Sequence, residues 1–303
     1  MIIVSGASGA FGRATAEILI ERTDPAGLIL TSRTPEKLAD LAARGAQVRH
    51  ADFDRPETLE QAFRGGSRML LISTARVGSR VEQHRNAVEA AKRAGVGLIA
   101  YTSLINADRD DNPAIVKRDH RATEEIMEAS GVPYVFLRDS HYLEAICVAM
   151  VGGALLSGGR MLDNTGSGRI GAISRDDCVA VAAEVLLGEG HANQAYDLAS
   201  DETVTIAEAM ALASALSGRP ITIVPATEDE MYAYFDALGA PRHASDVVPD
   251  GPIPWSSDDM VTFGQAIREG FFDKTSDIVE RLTGRKPKRL RDVMEASQPL
   301  WPK

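Results

Sequence analysis

Cysteine is nearly missing from this chain of 303 residues, which contains only Cys147 and Cys178. Two thiols cannot build the disulfide framework of a small secreted domain, and the apolar neighbours of both favour reduced, buried side chains. The sequence also lacks an apolar run of the roughly 18 residues that a membrane-spanning helix needs, and it lacks the cationic stretch and apolar core of a secretory signal. We therefore expect a cytoplasmic protein with no membrane partner.

Positive charge is in short supply as well. Lys and Arg number 33 against 43 Asp and Glu, which gives a formal net charge of −10 and a pI near 5.2. This balance argues against a protein that binds nucleic acid through its phosphates. The most basic run, Lys286–Arg291, is explained more simply as the solvated entry to a helix. The expected partner is a small molecule, and the sequence leaves open whether the chain is a monomer or a homodimer.

Three catalytic motifs are absent. None of the six tyrosines has a lysine four residues later, so the Tyr-x-x-x-Lys pair that serves an alkoxide oxygen is missing. No group of His, Cys and Asp has the spacing of a metal site, and no Gly-x-Ser-x-Gly nucleophile turn occurs. Ordinary interconversion of alcohols and ketones is therefore disfavoured, and we expect no bound metal.

Short aliphatic runs alternate with amphipathic segments over the first 138 residues. The runs have the length and composition of strands that are buried on both faces. The predicted strands are Ile2–Ser5, Leu28–Thr31, Gln47–Ala51, Met69–Ser73, Leu98–Thr102 and Tyr134–Leu137. The segments with helical spacing are Arg13–Glu21, Pro35–Ala43, Glu57–Phe63, Val81–Lys92 and Thr123–Ser130. These repeated units predict an α/β fold with a Rossmann-type doubly wound parallel sheet.

The regular alternation of aliphatic runs and amphipathic segments ends near residue 140. We therefore predict two domains, a Rossmann domain over residues 1–140 and a smaller α/β substrate domain over residues 141–303. The boundary is soft, because later elements can return to the first sheet. The elements predicted here are helices at Asp176–Leu187, Met260–Glu269 and Thr275–Leu282 and strands at Ala195–Leu198 and Ile221–Val224. Thr205 and Thr227 open capping boxes, each with Glu three residues later, and Gly239–Pro254 is predicted to be a loop.

The stretch GASGAFG follows the first predicted strand directly and precedes a helix. Glycines at this place allow a tight turn and the close approach of a diphosphate, while the helix N-terminus offers free N–H groups and a positive dipole end. A purely structural turn is the alternative, but the position after the first strand favours a dinucleotide site. The residues assigned to the dinucleotide here are Gly6, Ser8, Gly9, Ala10, Phe11 and Gly12.

The end of the second strand predicts which dinucleotide binds. A site that prefers NAD has Asp or Glu near this point for the ribose hydroxyls, whereas this chain has Ser32 and Arg33. A guanidinium can bind a 2′-phosphate with two hydrogen bonds, and Lys37 lies one turn further on. The predicted cofactor is therefore NADPH or NADP+, with no flavin.

Ligands of open α/β sheets bind at the carboxyl ends of the strands. By this rule Asp52 and Phe53, after the third strand, flank the adenine, and Ser73 and Thr74, after the fourth, lie near the nicotinamide ribose. Ser103, at the end of the fifth strand, is also assigned to the cofactor.

Several longer segments resemble the NmrA-like, atypical short-chain dehydrogenase/reductases. The resemblance covers nearly the whole chain and is nearest to the NADPH quinone oxidoreductase and triphenylmethane reductase branch. The segments that carry it include IIVSGASGAFG, LLISTARVGSRVEQHRNAVEAAKRAGVGLIAYTSLINAD, DHRATEEIMEASGVPYVFLRDSHYLEAI and FGQAIREGFFDKTSDIVERLTGRKP. The resemblance implies a substrate cleft between an N-terminal Rossmann domain and a smaller C-terminal domain. It also implies that Gly6, Gly9, Phe11, Gly12 and Arg33 hold NADPH.

The resemblance implies a catalytic position too. In the related benzylic ether reductases a lysine is the catalytic acid or base, and the matching residue here is His120, with Lys117 as the alternative. His120 is expected to begin a helix and to titrate near neutral pH. The family's aromatic pair near the substrate corresponds to His141 and Tyr142, of which the histidine departs from the family pattern. His84 is interpreted as structural.

Three functions remain open. The first is hydride transfer from NADPH to a quinone or similar conjugated aromatic acceptor, which needs little acid catalysis because the acceptor spreads the incoming charge. The second is a redox sensor that binds NADP(H) without turnover. The third is a reductase of benzylic ethers or lignin-like aromatics.

Overall fold

The computed structural model describes residues 1–77, 80–243 and 256–303. Seven strands in these ranges form one parallel sheet: β1 (Ile2–Val4), β2 (Leu28–Ser32), β3 (Gln47–His50), β4 (Arg68–Leu71), β5 (Leu98–Leu104), β6 (Tyr134–Asp139) and β8 (Gln194–Leu198). Their order in the sheet is β3-β2-β1-β4-β5-β6-β8. The strand order reverses between β1 and β4, and a crevice for a ligand forms at the carboxyl ends beside such a switch point.

Two helical layers cover the sheet. One apolar cluster lies on the side of α1 and α7, and the other lies on the side of α3, α4 and α5. Because both faces are covered, the central strands bury nearly all their side chains, as their aliphatic composition predicts. The first seven helices are α1 (Ala10–Arg22), α2 (Ala39–Ala43), α3 (Leu59–Phe63), α4 (Arg80–Arg93), α5 (Val116–Ser130), α6 (Val151–Leu156) and α7 (Arg175–Leu187).

The second half of the chain is divided between the large sheet and a separate cluster. Strand β8 pairs with β6, and α7 packs on α1, so both complete the first sheet. Strands β7 (Arg160–Asp163) and β9 (Thr222–Pro225) form a second, two-stranded parallel sheet. The remaining helices are α8 (Ile206–Ser217), α9 (Glu228–Ala237), α10 (Ser257–Arg268), α11 (Ile278–Thr283) and α12 (Leu290–Ser297). The division into domains at residue 140 stays a prediction.

The predicted start of the fifth helix was wrong. Helix α5 begins at Val116, seven residues before the predicted Thr123, so His120 lies in its second turn and not at its start. Much of the buried face in these early turns is polar, with Asp119 and His120, and an apolar period therefore could not reveal it.

Other boundaries shifted less. Helix α10 begins three residues before the predicted Met260, and α11 begins three residues after the predicted Thr275. Strand β7, the π-helical turn Ala145–Met150 and α6 were not predicted. Residues 244–255 of the predicted loop lie outside the described residues. No helix in the described ranges is long and apolar enough to cross a membrane.

Candidate functional site

The glycine stretch forms a tight turn between β1 and α1. Gly6 has a φ of +58°, a conformation that residues with a side chain rarely adopt. A Cβ on Gly12 would lie 2.6 Å from the carbonyl oxygen of Gly6, so only glycine lets the helix approach the turn this closely. The local sequence is therefore required by backbone geometry, independently of any ligand.

The N-terminus of α1 is left open toward this turn. Its N-cap is Gly9, whose lack of a side chain leaves the first amide N–H groups without a side-chain cap. The first turn also contains no acidic residue. Free N–H groups and the positive end of a helix dipole favour an anionic ligand, which a diphosphate provides.

The end of β2 lies beside this turn. The hydroxyl oxygens of Ser8 and Ser32 are 2.8 Å apart, which joins the glycine turn to the second strand. Arg33 and Lys37 are exposed, and neither side chain has a hydrogen bond or ion pair with any part of the chain that the structure describes. A third cationic side chain nearby, Arg13, was not noted in the sequence analysis. It is already paired, because it donates 2.8 and 3.1 Å bonds to the Asp40 carboxylate. The side chains of Arg33 and Lys37 thus remain available for a phosphate beside the end of β2.

Asp52 and Phe53 follow the carboxyl end of β3, at the same edge of the sheet. A side-chain oxygen of Asp52 accepts a 3.1 Å bond from the backbone N–H of Asp54, which shapes the loop. Phe53 is half-buried and packs against the cluster on the α4 side. The proposed contact of these two residues with adenine stays a prediction.

The loop after β4 is fixed by buried partners. The backbone N–H of Ser73 donates to the Thr102 hydroxyl at 2.8 Å, and the backbone N–H of Thr74 donates to Nε2 of His84 at 3.1 Å. The Thr74 hydroxyl donates to Gln83 at 2.6 Å. The two residues assigned to the nicotinamide side are therefore held rigidly by the sheet and by α4.

His84 occurs in one tautomer. Because Nε2 accepts the bond from Thr74, Nδ1 carries the proton and donates to the Thr123 hydroxyl at 2.8 Å. That hydroxyl in turn donates to the backbone carbonyl of Asp119, also at 2.8 Å. Burial, reinforced by the nearby charge of Arg80, lowers the pKa of His84 to about 3. A neutral imidazole thus connects the loop after β4 to α5.

His120 is buried, and both of its ring nitrogens have partners. Nε2 accepts from the Arg80 guanidinium at 3.0 Å, so Nδ1 carries the proton and donates to the Tyr101 hydroxyl at 2.9 Å. Burial, with the charge of Arg80 as the second cause, holds the pKa of His120 well below its usual value. The expectation that His120 titrates near neutral pH was therefore wrong, because burial is not visible in the sequence.

The fallback residue Lys117 lies three positions earlier on α5. Its ammonium group donates to the backbone carbonyls of Arg109 at 3.0 Å and Asp110 at 3.3 Å. Lys117 therefore ties down the loop before α5. Its catalytic assignment, like that of His120, is not decided by these contacts.

Ser103 points toward α5. It donates a 2.7 Å bond to Glu124, a fully buried carboxylate that also receives two bonds from Arg138 at 2.9 and 2.8 Å. This places the Ser103 hydroxyl in a buried ionic cluster that supports the ends of β5 and β6. Its assignment to the cofactor stays a prediction.

His141 and Tyr142 follow β6 and turn to different neighbours. The His141 ring lies 5.0 Å from the Phe263 ring on α10, and burial lowers the pKa of His141 to about 4. The Tyr142 hydroxyl donates a 2.6 Å bond to Asp139, and its ring packs against the cluster on the α1 side. The two half-buried rings lie at the carboxyl edge of the sheet, and their contact with a substrate stays a prediction.

Comparisons with known proteins decide the family. The family model described as NAD(P)H-binding matches residues 6–189, more than half of the chain. The chain belongs to this NAD(P)H-binding family. Quinone oxidoreductase 2 of Escherichia coli (strain K12) is 34% identical over 271 residues, which cover 88% of this chain and 93% of the relative.

Two solved structures extend the family's likeness to the whole fold. The NADPH-dependent quinone oxidoreductase from Escherichia coli complexed with NADPH has a TM-score of 0.88 at 32% identity, covering 98% of this chain and 99% of the other. Triphenylmethane reductase of Citrobacter sp. complexed with NADP(H) has a TM-score of 0.85 at 30% identity, covering 98% and 100%. The predicted Rossmann-type fold and NmrA-like family are confirmed, and the chain is an NAD(P)H-dependent oxidoreductase.

The residues present fit the family's dinucleotide. A Cβ on Gly12 would fill the turn, and the uncapped start of α1 faces the place where a diphosphate would lie. The Ser8 and Ser32 hydroxyls and the exposed Arg33 surround the end of β2, where the adenosine ribose would lie.

Sequence reasoning did not single out Arg80, which bonds to His120 at 3.0 Å. It is 6% exposed and lies on the buried face of α4, one turn before His84. The signal was its register, since positions 80, 83, 84, 87 and 88 share that face. A charged residue in register with buried positions is uncommon, because charged side chains are rarely buried without a partner.

We predict that Asp139→Asn changes how stability depends on pH. Burial raises the pKa of Asp139 to about 7, although the hydrogen bond from Tyr142 acts in the opposite direction and lowers it. A carboxyl whose pKa is raised in the folded state destabilises the protein as pH rises from about 4 to about 7, by up to roughly 4 kcal/mol. The stability of the variant relative to wild type should therefore increase between pH 5 and pH 8. Thermal unfolding across this range measures it.

Asp110→Asn is the control for this prediction, because Asp110 is exposed. Its difference from wild type should not change with pH. A constant difference for Asp139→Asn as well would show that Asp139 does not titrate in this range.

Proposed function

We propose that the protein transfers a hydride from NADPH to a quinone or a similar conjugated aromatic acceptor. The observation that carries the proposal is the state of His120, which is neutral and has both ring nitrogens in hydrogen bonds. The position that matches the catalytic lysine of related reductases therefore has no proton ready to donate. This favours an acceptor that needs no acid from the protein.

Quinones meet this requirement. When bound, NADPH supplies the hydride, and a quinone spreads the resulting negative charge over its ring and second oxygen. Water can then protonate the product oxygen after the transfer. The protein's contribution is to hold the two reactants together, to shape the loop around Thr74 and to control the charge near the acceptor.

The names of two relatives support the same reaction. The 34% identical protein from Escherichia coli is named a quinone oxidoreductase, and a structural relative at 30% identity is named a triphenylmethane reductase. The first name refers to a quinone and the second to a triphenylmethane compound, and both are conjugated aromatic or quinonoid molecules. The proposed substrate of this chain is of that class.

We predict that the purified protein oxidises NADPH when a quinone is added, without added flavin or metal. The rate of NADPH oxidation should be much higher with quinones than with simple ketones or aryl ethers, because only the quinone accommodates the negative charge without an acid. Absorbance at 340 nm with a panel of these acceptors measures it. Tight NADPH binding without turnover on any acceptor would instead favour the sensor, and reduction of aryl ethers would favour the benzylic ether reductase.

We predict that the protein binds NADPH at least about tenfold more tightly than NADH, a difference of about 1.4 kcal/mol. Arg33 is exposed and has no partner in the described ranges, so its guanidinium is available for the 2′-phosphate. Arg33→Ala should weaken NADPH binding much more than NADH binding, as titration of each nucleotide would show. Arg44→Ala, which removes an exposed arginine at the end of α2, is the control. Equal dissociation constants for NADPH and NADH in the wild type would contradict the prediction.

We predict that His120→Ala lowers turnover about tenfold, which corresponds to about 1.4 kcal/mol of barrier, while NADPH affinity hardly changes. The reason is positional, because His120 holds the Arg80 guanidinium at 3.0 Å. Since burial keeps the pKa of His120 well below its usual value, the ratio of the two rates should be constant from pH 6 to pH 8. His120→Gln, whose carbonyl can accept from Arg80, should restore part of the loss. A ratio that changes with pH would identify His120 as a general acid.

A further inference from the structure

Arg80 is a buried cation at the carboxyl edge of the sheet. It is the first residue of α4, its side chain is 7% exposed, and it lies one turn before His84 on the same helix face. His84 holds the backbone of Thr74, in the loop where the nicotinamide side is predicted. Arg80 therefore lies on the side of the sheet edge where the acceptor would meet the cofactor.

The surroundings of Arg80 are one neutral hydrogen-bond partner, His120, and two carboxylates whose charges act on it, Asp119 and Asp259. One terminal nitrogen bonds to His120, which is neutral. Among the described residues its Nε atom has no hydrogen-bond partner, and it is 3.6 Å from the Asp119 carboxylate, an ion pair without a hydrogen bond. A buried donor of a charged group without a hydrogen-bond acceptor is uncommon in folded proteins, and an oxygen of a ligand beside the guanidinium would supply one.

We propose that the Arg80 guanidinium stabilises the negative charge that forms on the acceptor oxygen during hydride transfer. The inference rests on the proposed function and adds the residue that selects the acceptor. A preorganised cation in a water-poor site stabilises a developing anion most effectively, because it is already oriented when the charge appears. His120 and Asp119 provide that orientation.

The charge balance of the reaction defines what Arg80 selects. Reduction of a neutral quinone by NADPH moves one hydride, two electrons with one proton, to the quinone and leaves NADP+ and a hydroquinone monoanion. A proton from water then gives the neutral hydroquinone. A cationic triphenylmethane dye that accepts the same hydride becomes a neutral leuco compound. An anion forms in the first reaction and not in the second. The positive charge of Arg80 therefore speeds hydride transfer to quinones, and it repels a cationic dye.

The kinetic test compares the two acceptors on the same variants. Arg80→Met removes the charge while keeping much of the side-chain volume, and Arg80→Lys keeps the charge. For Arg80→Met we expect the ratio of kcat/KM for menadione to that for malachite green to fall at least about a hundredfold, in the range seen when one oxyanion donor is removed. Arg80→Lys should recover part of this ratio. Arg85→Met, on the exposed face of α4, should leave the ratio unchanged.

A binding test does not depend on turnover. The protein loaded with NADP+ is titrated with 4-nitrophenolate, a mimic of the product anion, and with 4-nitroanisole, its neutral counterpart. We expect Arg80→Met to lose affinity for the phenolate at least about tenfold and to keep its affinity for the anisole. Thermal unfolding and NADP+ affinity of each variant establish that it is folded and loaded.

The outcomes separate the two proposals. A wild-type protein that reduces no quinone would overturn the proposed function, and the role of Arg80 with it. A wild-type protein that reduces quinones, with unchanged acceptor ratio and phenolate affinity in Arg80→Met, would overturn the role of Arg80 alone. If the dye is not reduced by any variant, the phenolate titration decides the role by itself.

Discussion

The arrangement of the site depends on one constraint, that polar groups buried between β5, α4 and α5 must be hydrogen-bonded. Three ring side chains share this space, His84, Tyr101 and His120, and each is fully or almost fully buried. Their nitrogens and hydroxyl have few partners to choose from, so each imidazole is fixed in one tautomer. The backbone of Thr74, after β4, is thereby held from within the protein.

The sequence predicted the sheet and the dinucleotide turn well because each has a direct physical signature. Strands covered on both faces must be aliphatic, and a turn that tolerates no Cβ at Gly12 must contain glycine. The polar layer was less predictable. Arg80 is a charged residue, which is usually exposed, and His120 would titrate near neutral pH if it were solvated. The titration expected of His120 was wrong because burial by other elements decides its charge state, and Arg80 was not singled out although its helical register with buried positions was a signal.

The glycine turn and the surroundings of His141 are built from different parts of the chain. The first three strands and α1 supply the turn, the uncapped N-terminus and the cationic corner at Arg33. Helix α10 of the second half reaches the other side, where Phe263 contacts His141 and the Thr262 hydroxyl accepts a 3.1 Å bond from the backbone N–H of Ile115. Changes in α10 therefore act on His141 and on the start of α5, and they do not touch the glycine turn.

The chain of bonds from Thr74 through His84 and Thr123 has a consequence for how such sequences diverge. The imidazole at position 84 needs an acceptor at position 123, and the residue there also donates to the carbonyl of Asp119. A hydroxyl meets both conditions, whereas an aliphatic residue meets neither. Positions 84 and 123, although 39 residues apart in the chain, are thus coupled: an aliphatic residue in place of Thr123 would leave the buried Nδ1–H of His84 without this acceptor.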